Sequence, residues 1–285
     1  MKLTRRKFVA RIGGLGAMAG GGLAYMRFGE SDWFEQTITP CATGQTGVAD
    51  PLRVLHLSDL HASDVVPLEM IARAVELGVE MKPDLVVMTG DFWTDKFHHI
   101  NAYSEVLGPL SDVAPTFAVA GNHDGGRWAQ SASGWATLDP LRELLGGARI
   151  PLLWNESAVI TVGSRQVTLL GVGDSWAGDC APFRTFASAG DRRPDELRLV
   201  LNHNPDAKDE FKDYDWDVMF CGHTHGGQLR IPLLGSTPFA PVRDHGYVAG
   251  LNPWQGRQIF TTRGVGNLHG MRFNCRPEIS LLLVS

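Results

Sequence analysis

Residues 52–61 read LRVLHLSDLH, an apolar run that gives way to an aspartate and a histidine. The same arrangement, an apolar run followed at once by carboxylate, amide or imidazole side chains, recurs in four further stretches. These are LVVMTGD (85–91), TFAVAGNHD (116–124), LRLVLNHN (197–204) and VMFCGHTH (218–225). In open α/β sheets the ligand crevice lies at the carboxyl ends of parallel strands. The repeated pattern therefore predicts buried strands that deliver polar side chains to one shared edge.

Seven side chains of this pattern are candidate metal ligands. They are Asp59, His61, Asp91, Asn122, His203, His223 and His225. Carboxylate, amide and imidazole groups without thiols suit hard to borderline divalent metals. Seven groups exceed the needs of one tetrahedral site, but they are enough for two ions that share one ligand. The pattern therefore favours a binuclear metal centre, and with it a hydrolase.

The rest of the chain alternates helical and strand patterns. Helices are predicted over 67–82, 101–107 and 136–145, and further strands over 158–162, 166–170 and 279–284. Strand–helix–strand units at the front and adjacent strands later in the chain indicate an α/β protein. We expect two packed sheets flanked by helices.

The 285 residues carry a formal net charge of −5, which is unevenly distributed. Six Lys and Arg residues and no acidic residue precede Glu30, which leaves 20 basic against 31 acidic residues, a charge of −11. An acidic body argues against nonspecific nucleic-acid binding, which needs a basic face. We therefore expect an acidic metalloprotein behind a basic leader.

The leader, residues 1–29, is predicted to be a targeting segment. TRRKFV (4–9) contains the paired arginines and following Phe of a twin-arginine export signal. The mildly apolar residues 12–26 are fewer than the roughly 20 that cross a bilayer. A basic amphipathic segment that lies on a membrane surface is the alternative. We expect export or membrane association, with a cytoplasmic, membrane-peripheral location as the alternative and cleavage left open.

Residues 30–50, with Pro40 and several Gly and Thr, are predicted to be a linker, and residues 51–285 a single domain. The four cysteines show no CxxC spacing and lie outside the ligand positions. Cys221 ends an apolar run and is expected to be a small buried residue. A disulfide between Cys41 and Cys180 stays open.

The ordered set of five polar motifs resembles that of the calcineurin-like metallophosphoesterases, over about residues 52–285. GNHD (121–124) and GHTH (222–225) are the most specific blocks. The stretches CGHTHGGQLRIPLLG (221–235), FAPV (239–242) and TTRGVGN (261–267) are similar to the bacterial YaeI-type phosphodiesterases.

This resemblance implies a four-layer αββα sandwich and two divalent metal ions, for which Mn²⁺, Zn²⁺ and Fe²⁺ are candidates. The first ion's ligands would be Asp59, His61 and His225, and the second ion's Asn122, His203 and His223, with Asp91 shared. A hydroxide bridging the two ions would displace the leaving group at phosphorus in line.

His123, in GNHD, is the candidate catalytic residue. The resemblance implies that it faces the substrate and assists the leaving group as proton donor or charge stabiliser. We expect a carboxylate behind it to fix its orientation. Asp124 and Asp95 are both candidates for that carboxylate.

Departures from other members of the superfamily narrow the substrate. GDFWTDK (90–96) and GNHDGG (121–126) lack the arginine that the serine/threonine phosphatases carry after the second motif, which argues against phosphoprotein substrates. Thr94 stands where purple acid phosphatases have a tyrosine, so no iron–tyrosinate colour is expected.

A phosphodiesterase is the favoured function, acting on a phosphodiester or pyrophosphate bond. One alternative is a pyrophosphatase for a nucleotide-linked lipid such as UDP-diacylglucosamine, and another is a non-catalytic metal-binding scaffold. The apolar residues 231–234 and 238–241 would either form a rim for lipid-linked phosphate or pack under the sheet edge. Arg263 would pair either with a phosphate oxygen or with a carboxylate of the fold.

Overall fold

The computed structural model describes residues 21–43, 50–231, 237 and 240–285, and these contain eleven strands. In chain order they are β1 (Glu35–Cys41), β2 (Leu52–Leu57), β3 (Leu85–Thr89), β4 (Thr116–Val119), β5 (Glu156–Val162), β6 (Arg165–Gly171), β7 (Leu197–Leu201), β8 (Val218–Cys221), β9 (Gly250–Trp254), β10 (Arg257–Thr261) and β11 (Glu278–Val284). Beyond residue 50 the α-helices are α1 (Leu68–Glu80), α2 (Ile100–Val113), α3 (Arg127–Ser131), α4 (Asp139–Gly147) and α5 (Pro182–Ala189).

The strands form two mixed sheets. Five strands lie in the order β1-β11-β2-β3-β4 and six in the order β5-β6-β7-β8-β10-β9. In the first sheet β2, β3 and β4 are parallel, and in the second β6, β7, β8 and β10 are parallel. Because parallel strands end at one edge of their sheet, the polar residues that follow β2, β3, β4, β7 and β8 are brought to that edge.

Three apolar clusters separate four layers. Val54, Val87, Leu199 and Phe220 belong to the cluster between the two sheets. The outer face of the first sheet packs against α1, α2 and α4, and that of the second against α5 and the 3₁₀ helix Pro205–Phe211. Successive side chains of a strand point to opposite faces, so wholly buried strands such as β3 contribute to two clusters. The expected four-layer αββα sandwich is confirmed.

The helix α1 shows why the predicted elements form where they do. Its buried residues, Ile71, Ala74, Val75 and Gly78, recur at the three- to four-residue spacing of one helix face. A Cβ on Gly78 would lie 2.9 Å from Leu55 Cδ2, so glycine lets the helix pack closely on β2. The three predicted helices and the strands after residue 51 are confirmed, with α2 extending to Val113. The helices α3 and α5 were not predicted.

The predicted linker over residues 30–50 is wrong between Glu35 and Cys41, which form the edge strand β1. This strand pairs in parallel with β11, from Glu35 opposite Glu278 to Cys41 opposite Val284. The backbone N–H groups of Glu35 and Thr43 both donate to the β11 side. Alternate residues of a strand direct their N–H groups the same way, so that of residue 40 would face outward. Pro40 therefore costs the sheet no hydrogen bond.

The first residues after the predicted leader pack on the domain. Residues 1–20, which include the twin-arginine motif, lie outside the described residues. Glu30 and Ser31 are buried, and they bond to the loop before β11: Glu30 Oε1 accepts from Cys275 N, and Ser31 Oγ donates to Gly270 O. Within the described part of the chain, no helix has the length and apolar character to cross a bilayer.

Candidate metal centre

The strand ends bring the predicted ligands into two groups. Asp59, His61 and His225 form one group, and Asp91, His203 and His223 form the other, with the potential ligand atoms of each group within 4.8 Å of one another. All six side chains are buried, none more than 5% exposed. The residues therefore partition as the sequence resemblance implied, with Asn122 still to be placed.

Asp91 connects the two groups. Its Oδ2 lies 3.1 Å from His203 Nε2 and 3.5 Å from His61 Nε2, one histidine from each group. In the first group His61 Nε2 and His225 Nε2 are 3.1 Å apart. A carboxylate in this position can offer one oxygen to each of two ions, which is the arrangement expected of a bridging ligand.

Hydrogen bonds behind the histidines set which nitrogen faces the centre. His203 Nδ1 donates to Thr89 O at 2.6 Å, and His223 Nε2 donates to Pro241 O at 3.1 Å. Because a carbonyl oxygen can only accept, each of these nitrogens carries the proton, and the other ring nitrogen keeps a lone pair for a cation. His61 Nδ1 lies 3.2 Å from Thr94 Oγ1, which orients that ring in the same manner.

The donor set fits divalent cations. The buried side-chain oxygen of Asn122, Oδ1, has no hydrogen-bond partner among the described residues, although a buried amide oxygen normally has one. His223 Nδ1 and His203 Nε2 are 3.2 Å apart. Two ring nitrogens that bind the same ion lie close together in this way. Oxygen and imidazole ligands of this kind suit Mn²⁺, Fe²⁺ or Zn²⁺. Asn122 thus joins the six as a seventh candidate ligand.

Five of the candidate ligands have a left-handed backbone conformation. The φ angles are 53° at Asp59, 50° at His61, 55° at Asp91, 68° at His223 and 51° at His225. Such angles cost about 1–3 kcal/mol each in non-glycine residues and recur at functional sites. They turn the chain sharply at the strand ends and direct the side chains inward.

Glycines in the same motifs admit the carboxylates. A Cβ on Gly121 would overlap the Asp91 carboxylate, and one on Gly222 would overlap that of Asp59. These close approaches give a physical reason for the glycines in GNHD and GHTH.

Burial and mutual charge shape the electrostatics of the centre. Burial raises the pKa of Asp59 to about 6 and lowers that of His61 and His223 to about 3. Burial alone would also raise the pKa of Asp91, but the positive charges of His203 and His123 hold it well below its ordinary value. The centre thus favours neutral rings at His61 and His223 and an ionised Asp91. The carboxylate of Asp91 raises the pKa of His203 well above its ordinary value despite burial, so a bound cation would displace a proton from that ring.

His123 lies beside the centre and is oriented by backbone groups. Its Nδ1 donates to Thr94 O at 2.7 Å, which leaves Nε2 as the free nitrogen of the ring. Its backbone N–H donates to Asp91 Oδ1 at 2.9 Å. The expectation of an orienting carboxylate is therefore wrong, since the carbonyl of Thr94 fills that role. Neither Asp124 nor Asp95 is needed for it.

Asp124 binds backbone N–H groups of two loops rather than the ring of His123. Its Oδ2 accepts from Asp91 N at 2.8 Å and Gly121 N at 2.7 Å, and its Oδ1 accepts from Phe92 N at 2.7 Å. One buried carboxylate thus ties together the two loops that carry Asp91 and His123. Asp95, by contrast, is exposed.

Sequence reasoning missed Arg272, a guanidinium with no exposed surface. It donates to the carbonyl oxygens of Arg263 at 2.8 Å, Gly264 at 3.2 Å and Cys275 at 3.0 Å. Gly264 is close to Asp59, because a Cβ added there would lie 2.7 Å from Asp59 Cβ. Arg272 therefore fixes the loop behind the first ligand group. Nothing in the surrounding LHGMRFN sequence signals this burial.

Other candidates have structural roles or lie outside the described chain. Arg263 forms ion pairs with Glu278 at 3.2 Å and Glu35 at 3.0 Å, so of its two expected partners the carboxylate of the fold is the observed one. All four cysteines are free, which excludes a Cys41–Cys180 disulfide in this structure. Residues 232–236 and 238–239 of the apolar stretch are not among the described residues.

Fold and site together define a class of protein: an αββα sandwich whose strand ends carry two metal-ligand groups around a shared aspartate, beside an oriented histidine. Residues 52–227 match the family model described as calcineurin-like phosphoesterase. The chain belongs to this family.

Three relatives show the extent of the similarity. The chain is 45% identical over 281 residues to phosphodiesterase YaeI of Escherichia coli, covering 98% of each chain. It is 29% identical to the uncharacterized metallophosphoesterase YkuE of Bacillus subtilis, covering 98% of this chain and 97% of that one. Identity to the UDP-2,3-diacylglucosamine pyrophosphatase LpxG of Chlamydia muridarum is 27%, covering 81% of this chain and 83% of that one.

Proposed function

We propose that this chain is a binuclear-metal-dependent phosphodiesterase that hydrolyses P–O bonds. The observation that carries the proposal is the arrangement of two ligand groups around Asp91, with the backbone-oriented His123 bonded to the same carboxylate. The 45% identity to a phosphodiesterase over nearly the whole chain supports the same conclusion.

The ligands divide the chemical work with His123. Two divalent cations held by Asp59, His61, Asp91, Asn122, His203, His223 and His225 would bind phosphoryl oxygens and lower the pKa of a coordinated water. His123 keeps its Nδ1 proton on Thr94 O, so only Nε2 is available to the substrate. A protonated Nε2 donates to the leaving oxygen as the P–O bond breaks, which offsets the negative charge that develops there.

The test is hydrolysis of an aryl phosphodiester and the matching monoester by metal-stripped protein, with Mn²⁺, Zn²⁺, Fe²⁺ or nothing added back. We expect metal-dependent turnover of the diester. His123→Ala should lower kcat by about 10²–10⁴-fold while two metal ions stay bound, and His98→Ala, at an exposed histidine, should change neither. Turnover without metal, or an active His123→Ala variant, would contradict the mechanism.

A second candidate is hydrolysis of the pyrophosphate bond of a nucleotide-linked lipid, suggested by the similarity to LpxG. The same ligands and His123 would serve that reaction. Comparing turnover of an aryl phosphodiester with that of UDP-diacylglucosamine separates the two, since preference by several orders of magnitude for the lipid would favour the pyrophosphatase. A non-catalytic scaffold is the remaining alternative. Asp91→Asn tests it, because an enzyme would lose turnover together with metal occupancy, whereas a folded scaffold would keep its partner binding.

We propose further that the basic leader directs export by the twin-arginine route or holds the protein at a membrane, where a lipid-linked substrate would be accessible. The paired Arg5 and Arg6 support this. Replacing both by Lys, followed by cell fractionation, should retain the protein in the cytoplasm. An unchanged distribution would favour a membrane-peripheral cytoplasmic location.

A further inference from the structure

Two tryptophans lie beside the metal centre, one in contact with His123 and the other in contact with His223. Trp128, from α3, contacts His123 with ring centroids 4.6 Å apart in an edge-to-face arrangement. Trp176, in the loop after β6, contacts His223 in the same manner at 4.4 Å. The two indole rings are 6.1 Å apart and tilted by 44°. The two tryptophans therefore form a pair. One of them contacts the proposed proton donor, and the other contacts a proposed ligand of the second ion.

Packing in the hydrophobic core does not explain the position of these two tryptophans. Trp176 is 43% exposed, and Trp128 is half-buried. Neither belongs to the three apolar clusters that the described residues form. Large aromatic surface left exposed beside a polar site is typical of a binding surface.

Hydrogen bonds fix the conformation of the loop that carries Trp176. Asp174 is buried, and its Oδ1 accepts from Trp176 N at 2.7 Å and from Ala177 N at 2.9 Å. The start of this loop is also anchored, since Asn202 Nδ2 donates to Gly173 O at 3.0 Å. These bonds hold the indole at the mouth of the site independently of any ligand.

Trp176 also lines two cavities. One, of about 780 Å³, is lined by both tryptophans together with Arg127, Ser131, Gly178 and Asp179. The other, of about 450 Å³, is lined by Trp176, Asp206, Pro241 and Arg243. A phosphodiester has two organic arms, and these two cavities offer a separate place for each.

We infer that Trp128 and Trp176 form the subsite for the leaving-group arm of the substrate and favour a flat aromatic group there, such as an aryl or nucleoside group. The assignment rests on the proposed function, in which His123 donates to the leaving oxygen. Trp128 contacts His123 and lines the larger cavity, so the arm that departs toward His123 lies against this pair. The retained arm then lies in the smaller cavity.

The test compares two diesters that both release p-nitrophenol, bis-p-nitrophenyl phosphate and methyl p-nitrophenyl phosphate. Trp176→Ala and Trp128→Ala should raise KM for both by about tenfold, because both lose the same contact to the departing ring. Trp176→Phe should restore much of the affinity. Trp154→Ala, at an exposed tryptophan that contacts Arg142, is the matched control and should be unchanged.

A binding measurement separates positioning of the substrate from damage to the centre. Calorimetric titration with bis-p-nitrophenyl phosphate of metal-loaded protein in the slowly reacting His123→Ala background should show weaker binding in both alanine variants, while each variant still takes up two metal ions. A larger KM increase for the bis-aryl than for the methyl diester would assign the pair to the retained arm and overturn the inference. Unchanged KM values in an active enzyme would overturn it too, whereas an inactive wild-type enzyme would overturn the proposed function itself.

Discussion

At the scale of single residues, Asp124 holds together the loops on which the centre depends. Its two oxygens accept from three backbone N–H groups, those of Asp91, Phe92 and Gly121. An amide in its place offers only one accepting atom and turns a donor toward at least one of these N–H groups. A buried donor left without an acceptor costs about 1–3 kcal/mol.

Asp124→Asn is therefore expected to lower the free energy of unfolding by about 1–3 kcal/mol and to weaken metal binding. Urea unfolding and metal titration measure the two effects. Asp95→Asn, in the same region but exposed, is the matched control and should leave both unchanged. Equal behaviour of the two variants would contradict the role assigned to Asp124.

His56 is a second residue whose role follows from burial. It lies between the sheets, in ring contact with Phe220 and Phe260, and its Nε2 is 2.8 Å from Thr89 Oγ1. Thr89 Oγ1 donates to Ser58 Oγ, so it accepts from His56 Nε2. Burial lowers the pKa of His56 to about 3, and the ring is neutral in the folded protein.

The depressed pKa of His56 predicts a loss of stability in acid. The unfolded chain takes up a proton below its pKa of about 6.5, while the folded chain does not until about pH 3. Stability is thus unaffected above pH 6.5 and falls as the pH decreases below it, by about 2 kcal/mol at pH 5. Urea unfolding of metal-free protein at pH 7 and pH 5 should show this extra loss in the wild type relative to His56→Phe. The same loss in both would argue against the assignment.

At the scale of elements, the edge strand β1 belongs to the domain although its composition resembles a linker. Its pairing with β11 is reinforced by a hydrogen bond from Thr37 Oγ1 to Glu278 Oε1 at 2.8 Å. Cys41 closes the strand inside the cluster between the sheets. Cutting the chain at residue 50 would therefore remove part of the sheet.

Proline substitution distinguishes the two faces of β1. Thr39→Pro removes an N–H on the side that bonds to β11, whereas Ile38→Pro removes one on the outward side, as Pro40 already does. Both substitutions restrict φ equally, so their difference isolates the ladder bond. We expect Thr39→Pro to be less stable than Ile38→Pro by about 1 kcal/mol or more in thermal unfolding. An equal effect would mean that the strand pairs differently.

At the scale of the whole molecule, the metal centre is also a stability element. The ligands come from five strand ends in both sheets, so bound ions would connect the two sheets at one edge. An ion present at about 100 times its dissociation constant stabilises the folded state by about 2.7 kcal/mol.

Chelation is therefore expected to lower the Tm by about 10 °C for a chain of this size when both ions are removed. Calorimetry before and after chelator treatment, and again after metal is restored, measures the effect. Asp91→Asn, which weakens the shared ligand, should show a smaller shift. A Tm that does not respond to metal would argue against two occupied ions.

Much of this protein can be predicted from its sequence, because apolar runs of strand length followed by Asp, Asn and His specify both a buried strand and what its end carries. Whereas the role expected of His123 was implied by the family resemblance of GNHD, the seven ligand positions and the α/β class follow from local chemistry of this kind. The edge strand β1 does not, since Pro40 and the surrounding Gly and Thr are typical of a loop, and only the register with β11 shows that the proline faces outward.

Only the tertiary structure shows which groups surround the site through contacts between distant segments of the chain. The carbonyl of Thr94 behind His123 and the anchoring of two loops by Asp124 each depend on segments far apart in the chain. The buried Arg272 likewise donates to His225 O, 47 positions away. The same holds for Trp128 and Trp176, which are 48 positions apart yet lie over neighbouring histidines. A ligand type is determined by the chemistry of one side chain, whereas its orientation depends on which backbone groups the packed sheets bring within hydrogen-bond distance.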